Sequence, residues 1–115
     1  MIDIRKLIIM IKEQKGMDAN LSLEFECFAD HEDPKPLVKV INYLVNYLTP
    51  LTEKPIEISL NASRDGSVLS FAVFTEQTEL PVLSDQLSGA LKVYNASLDV
   101  KHQQGEYLQI ILTFK

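Results

Sequence analysis

Residues 33–49 constrain the fold more than any other part of the chain, because they carry the local signals of one long helix. Asp33 is a favourable N-cap residue, and Pro34 at the first helical position needs no backbone donor there. Pro36 still lies within the first turn, whereas Pro50 predicts the end of the helix. Apolar residues at helical spacing predict the buried stripe, which comprises Leu37, Ile41, Leu44 and Leu48.

Another face of this helix is polar and aligns Lys39, Asn42, Asn46 and Thr49. Phosphate groups are held by bare backbone amides, which glycine-rich loops usually supply. The glycines of the chain are few and scattered, at Gly16, Gly66, Gly89 and Gly105. No loop of this chain is therefore predicted to wrap a phosphate.

Alternating or continuous apolar runs predict five strands. They are residues 20–28, 56–60, 68–74, 98–100 and 108–114. The run 68–74 is apolar on both faces and indicates a central strand, whereas 20–28 alternates like a strand with one wet face. Arg64, Asp65 and Gly66 supply a hairpin turn between the second and third strands.

Leu83, Leu87, Leu91 and Tyr94 predict a third helix, which Asn95 ends in a left-handed conformation. Strands joined by short turns pair antiparallel, and strands separated by a helix can pair parallel. The order of elements therefore predicts one domain, residues 1–115, of the α+β class. We expect a two-layer sandwich, with a mixed five-stranded sheet and about three helices on one face.

The first predicted helix has Ile4, Leu7, Ile8 and Ile11 at helical spacing. Asp3 precedes them with a charge that suits the helix dipole, and Gly16 suits the position after the last turn. Ile9 and Met10 widen its apolar surface beyond one stripe, so the helix needs more than one neighbour. Either both sides pack inside the domain, or one side meets a second copy. The segment from Ile2 to Lys15, within residues 1–17, is therefore a candidate dimerisation element.

Charge and composition argue against several classes of function. The formal net charge of −5, without a basic stripe, argues against a nucleic-acid partner. The longest apolar run near the N-terminus, residues 7–11, is shorter than the ~18 residues of a membrane span. We therefore expect no membrane partner. Cys27 is the only cysteine, so it cannot form an internal disulfide, and it is interpreted as a packed thiol. A free thiol is typical of a reducing compartment, so we expect a cytoplasmic protein. His31 and His102 are interpreted as surface residues, and no catalytic residue or metal site is predicted.

The order of these elements, together with the asparagine helix, resembles the ATP-binding domain of sensor histidine kinases, the GHKL ATPase fold. Residues 42–46, Asn-Tyr-Leu-Val-Asn, are similar to the N-box of that family, Asn-Leu-x-x-Asn. The other similar segments are residues 33–41, with Asp33, Pro34, Leu37, Val40 and Ile41, and residues 56–58, 66–73, 87–94, 97–100, 105 and 108–114. The resemblance begins at about Ala19, and the first helix stands where the dimerisation helix of a kinase would end.

The resemblance also implies glycine boxes that this chain lacks. Where the family carries Asp-x-Gly-x-Gly after its third strand, residues 74–78 are Phe-Thr-Glu-Gln-Thr. Residues 75–84, where the second glycine box and a mobile lid should follow, contain no glycine. Asn46 matches the asparagine that helps hold magnesium, but an amide ligand needs phosphate oxygens beside it. We therefore predict a degenerate form of the domain without an ATP lid and without a cofactor.

Three functions stay open at this point. The preferred one is a non-catalytic signalling or regulatory interaction module, whose protein partner is by analogy a response regulator or a kinase. The second is a nucleotide-binding ATPase, a kinase or a phosphotransfer protein with an atypical site. The third is a module that binds a small ligand on the vestigial N-box face formed by Lys39, Asn42 and Asn46.

Overall fold

Helices and strands follow one another in the predicted order, with two short strands added near the N-terminus. The computed structural model describes residues 1–64 and 66–115. Within them the elements are β1 (Ile2–Asp3), α1 (Ile4–Lys15), β2 (Ala19–Leu23), β3 (Phe28–Ala29), α2 (Lys35–Leu48), β4 (Ile56–Ser63), β5 (Gly66–Phe74), α3 (Gln86–Lys92), β6 (Ala96–Gln103) and β7 (Tyr107–Phe114). A single 3₁₀ turn, Thr49–Leu51, extends α2.

The main sheet has five strands in the order β2-β4-β5-β7-β6. The strands β2 and β4 pair parallel because α2 lies between them in the chain. All other neighbours in this sheet pair antiparallel. The predicted α+β sandwich with a mixed five-stranded sheet is therefore confirmed, and β5 is its central strand, as its apolar sequence predicts.

The hydrophobic core lies between the helices and the inner face of the sheet. The helices contribute Ile4, Leu7, Ile8, Ile11, Leu37, Val40, Ile41, Leu44, Val45, Leu48, Leu87 and Leu91. The main strands contribute Ile56, Ile58, Leu60, Leu69, Phe71, Val73, Leu108, Ile110, Leu112 and Phe114. Each such side chain stabilises the fold by roughly 1.5–3 kcal/mol through removal of apolar surface from water.

Helix α1 begins and ends where its sequence predicts. The Asp3 carboxylate accepts the Lys6 N–H at 3.2 Å, and Gly16 adopts a left-handed φ of 59°. The predicted apolar stripe of α1 is buried within the domain, whereas Met10 is 39% exposed. The pairing of two chains through the segment from Ile2 to Lys15 stays a prediction.

The first long strand is shorter than its alternating sequence predicts, since it ends at Leu23. Glu24 donates its N–H to the Leu60 carbonyl at 2.9 Å, and its carboxylate accepts the Ala62 N–H at 2.8 Å. Glu26 then turns the chain with a left-handed φ of 62°. Phe25, expected on the apolar face, is instead 72% exposed.

Further predictions concern Cys27, the β4–β5 hairpin and the two ends of α3. Cys27 is fully buried, as the interpretation of a packed thiol requires. The strands β4 and β5 form the predicted hairpin with Ser63 opposite Gly66, although Asp65 of the predicted turn lies outside the described residues. Helix α3 starts at Gln86, later than Leu83 implies, and Asn95 has the predicted left-handed φ of 52°.

Candidate functional site

The start of α2 is held by side chains from two other segments. Asp33 accepts the Lys35 N–H at 3.0 Å through its carboxylate, so it caps the helix although the helix begins after Pro34, one residue later than predicted. His31 accepts the Asp33 N–H at 3.0 Å on Nδ1. Its ring also packs edge-on against Tyr94 at 5.1 Å, so His31 is a half-buried structural residue rather than a surface one.

Tyr94 joins the end of α3 to the start of α2. Its hydroxyl accepts the Leu37 N–H at 3.0 Å and donates to the Asp33 carbonyl at 2.7 Å. Tyr94 is 1% exposed and Leu37 is fully buried, so neither group can exchange these bonds for water. Burial is the main cause that raises the pKa of Tyr94 above its ordinary value. The hydrogen bond from the Leu37 N–H lowers this pKa, and the negative charge of Asp33 raises it further.

The three predicted binding residues of α2 are not gathered into one cavity. Lys39 is exposed and lines a groove between α2 and α3. Asn46 is exposed on another side, lines a hollow beside the end of α1, and accepts a hydrogen bond from Lys15 Nζ at 3.1 Å on Oδ1. Asn42 is half-buried between these two positions. The Asn46 amide oxygen thus has a protein partner.

Residues 75–85, which connect β5 to α3, are attached to α2 by two tyrosines that the sequence analysis missed. Tyr47 donates its hydroxyl to the Pro81 carbonyl at 2.6 Å, and Tyr43 accepts the Ser84 N–H at 2.8 Å. The two rings stack with centroids 6.4 Å apart. Burial raises the pKa of Tyr47, and Tyr43 beside it raises that pKa further. We call residues 75–85 the connecting segment.

The beginning of the connecting segment is bonded to the β6–β7 hairpin and within itself. Thr75 donates its N–H to the Glu106 carbonyl at 3.1 Å and accepts the Gln77 N–H at 3.2 Å on Oγ1. His102 places Nε2 3.4 Å from the Gln77 carbonyl, so it is half-buried against the segment and not simply a surface residue. The backbone N–H groups of Thr75, Gln77 and Ser84 therefore already donate hydrogen bonds within the protein.

The groove between α2 and α3 has a volume of about 470 Å³ and is open to solvent. The helices run antiparallel, because Tyr94 after α3 meets Asp33 before α2, while Ser84 before α3 meets Tyr43 further along α2. The groove is lined by Asp33, Lys35, Pro36, Lys39, Val40, Tyr43, Ser84, Gln86, Leu87 and Ala90.

Two further hollows lie at the end of the domain where α2 stops. One of about 590 Å³ is lined by residues of the 3₁₀ turn, of the loop before β4, of the end of β5 and of the β6–β7 turn, among them Lys54 in that loop and Phe74 in β5. The other, of about 520 Å³, is the hollow that contains Asn46. Within residues 1–64 and 66–115, no group of three or more His, Cys, Asp or Glu side chains could hold a metal ion. None of the described helices is long and apolar enough to cross a membrane.

Comparisons by sequence and by structure give different results. No protein-family model matches the sequence, and no curated protein matches it significantly. The structure is similar to the histidine kinase domain of the Escherichia coli osmosensor EnvZ, with a TM-score of 0.74 and 9% identity over 98% of this chain and 87% of that one. It is similar to the ATP-binding domain of PrrB from Mycobacterium tuberculosis, with a TM-score of 0.63 and 13% identity over 99% and 96%.

The chain covers only part of the length of some histidine kinases with a similar structure. It matches the histidine kinase AdeS of Acinetobacter baumannii with a TM-score of 0.68 and 10% identity over 99% of this chain, but spans 66% of AdeS. It spans 30% of full-length ShkA. At these identities the likeness shows the fold alone: the chain has the fold of a histidine kinase ATPase domain, the GHKL fold. The matches cover 98–99% of this chain and therefore include α1.

Proposed function

We propose that this chain is a non-catalytic signalling or regulatory interaction module, built on a histidine kinase ATPase-like scaffold, that does not bind ATP in the usual way of that family. The observation that carries the proposal is the connecting segment. It contains no glycine, and Tyr43 and Tyr47 bind it to α2 where the resemblance implies a glycine box and a lid.

The physical argument concerns backbone amides. A triphosphate needs several amides that are free to donate and close enough to touch it, and side chains block that approach. In the connecting segment the amides of Thr75, Gln77 and Ser84 already donate within the protein. Asn46 is hydrogen-bonded to Lys15, and magnesium would have to displace that bond without phosphate oxygens to help.

The setting of this module follows by analogy. The similar structures are named as histidine kinases and as an ATP-binding domain of one. We therefore propose a cytoplasmic protein whose partner is a response regulator or a kinase. Its action is to bind that partner, and no residue of the chain is assigned a catalytic role.

Thermal unfolding with and without millimolar ATP and magnesium tests the proposal. A ligand at ~100-fold its dissociation constant adds ~2.7 kcal/mol of stability, which raises the Tm of a domain this size by about 10 °C. We expect no measurable rise for this chain, and a clear rise for the ATP-binding domain of PrrB as the positive control.

The variants distinguish the alternatives. A magnesium-dependent rise in Tm that Asn46→Ala abolishes would establish an atypical nucleotide site and refute the proposal. A rise with ATP that does not need magnesium, and that Lys39→Ala abolishes, would favour the small-ligand module instead. Asn20→Ala is the matched control for both variants, because Asn20 is exposed on β2, donates its side-chain amide to Glu57 and lines neither the groove nor the hollow that contains Asn46.

A further inference from the structure

We propose that the groove between α2 and α3 docks an acidic amphipathic helix of a partner protein. This inference rests on the proposed function as an interaction module and assigns the module its binding surface. Three observations on the groove carry it: its shape, its apolar floor and the sign of the charge along its rim.

The shape of the groove suits a helix. Two antiparallel helices that lie side by side leave a straight furrow, into which a third helix can place residues at i, i+3, i+4 and i+7. The floor consists of apolar or aromatic side chains, namely Pro36, Val40, Tyr43, Leu87 and Ala90. The furrow is about two helical turns long, because its shorter wall, α3, has 7 residues.

Small and exposed residues on α3 leave room for the incoming helix. Gln86, Ala90 and Val93 lie at helical spacing on the face that includes the groove wall, and Val93 is 49% exposed. Gly89 is exposed, and a Cβ built there would meet no atom within 4 Å. The apolar floor thus continues from the groove towards the end of α3.

The rim of the groove is positive on a protein whose formal net charge is −5. Lys35 and Lys39 lie one helical turn apart along it, and both are exposed. Asp33 is the one carboxylate among the lining residues, and it accepts a hydrogen bond from the Lys35 N–H. In the described part of the chain the ion pair of Met1 with Glu32 is the only one, so neither lysine ammonium has a carboxylate within 4.0 Å. Charge complementarity therefore selects a partner helix with acidic flanks.

Two fluorescent peptides of about 14 residues test the inference, since that length covers the two turns of the furrow and leaves residues at both ends for the charged flanks. Both carry the same leucines at i, i+3, i+4 and i+7; one has glutamates on its flanks, and the other has lysines at those positions. Fluorescence anisotropy measures the Kd of each. We expect the acidic peptide to bind at least about fivefold more tightly, with a difference that shrinks at high salt.

Variants locate the binding. Lys39→Glu is expected to weaken the acidic peptide at least about fivefold, because one attraction becomes a repulsion. Lys101→Glu changes the net charge equally on β6, in the opposite layer, and is expected to leave the Kd unchanged. Amide chemical shifts should move at Val40, Tyr43, Leu87 and Ala90, and the Tm of each variant shows that it is folded.

The inference is overturned if neither peptide binds at millimolar concentration, if both bind equally, or if Lys39→Glu and Lys101→Glu act alike. It is also overturned if the protein forms a dimer that Lys39→Glu dissociates, since the occupant would then be a second copy. These failures leave the proposed function intact as long as ATP does not raise the Tm. A rise in Tm with ATP removes the proposed function whatever the peptides do.

Discussion

Removal of one oxygen atom, by Tyr94→Phe, should destabilise the domain more than any other conservative change of a tyrosine. The Tyr94 hydroxyl is the only group that joins α3 to the first turn of α2 through hydrogen bonds in the described residues. The Leu37 N–H that it receives is one of the first-turn amides for which a helix has no internal acceptor. The phenylalanine ring keeps the buried apolar contacts of Tyr94, so the comparison isolates the hydroxyl.

The size of the effect follows from these contacts. An intramolecular hydrogen bond contributes about 0.5–1.5 kcal/mol, and a buried donor left without a partner costs about 1–3 kcal/mol. Leu37 is fully buried and Tyr94 is 1% exposed, so water does not readily replace the hydroxyl. We expect the free energy of unfolding to fall by about 2 kcal/mol, which lowers the Tm by about 8 °C in a domain of this size.

Urea denaturation followed by circular dichroism measures this loss directly, with the midpoint shifted and the slope unchanged. Tyr107→Phe is the matched control, because Tyr107 is 38% exposed at the end of β7. We expect a change of less than ~0.5 kcal/mol there, as at other surface positions. Equal effects of the two variants would refute the reasoning that the Tyr94 hydroxyl accepts the otherwise unpaired N–H of Leu37 in the first turn of α2.

A pair of glycine substitutions and a pH series give further predictions. Gly66 has a φ of 155° and a Cβ there would overlap the Phe114 carbonyl oxygen, so Gly66→Ala should strongly lower the yield and Tm of folded protein. Gly89→Ala, in open space on α3, should instead stabilise by up to ~1 kcal/mol, and a loss of stability there would contradict the assignment of that helix. Burial raises the pKa of Tyr47 and Tyr94, so the folded state holds their protons more tightly. Their contribution is therefore complete below pH ~10 and is lost as the pH rises above it; an unfolding free energy that stays constant from pH ~9 to ~11 would be the contrary result.

The sequence alone determined most of the secondary structure and the faces that are buried. Helical spacing placed Leu37, Ile41, Leu44 and Leu48 in the core, and all four are fully buried. The apolar run of β5 predicted the central strand, and the order of elements predicted the mixed sheet. These features depend on residues close together in the chain, because side-chain periodicity within one element decides which of its faces meets the core.

Tertiary structure alone decided where the first long strand ends and how the candidate site is arranged. The alternation in residues 20–28 continues past Leu23, but there the Glu24 carboxylate accepts the Ala62 N–H of β4, and Glu26 turns the chain with a left-handed φ of 62°. Similarly, Tyr43 and Tyr47 are one turn apart in the sequence, yet their partners Ser84 and Pro81 are more than thirty residues away. A hydroxyl bonds to whichever backbone group the fold brings beside it, and no local pattern encodes that neighbour.

The candidate binding residues show the same division. Their positions along one helix made Lys39, Asn42 and Asn46 a single polar face in the sequence. In the structure Lys39 lines the groove beside α3 and Asn46 bonds to Lys15 of α1. The sequence thus determined that these three polar residues lie on one helix at helical spacing. Which cavity each one lines depends on the elements that pack on either side of α2, because those contacts join residues far apart in sequence.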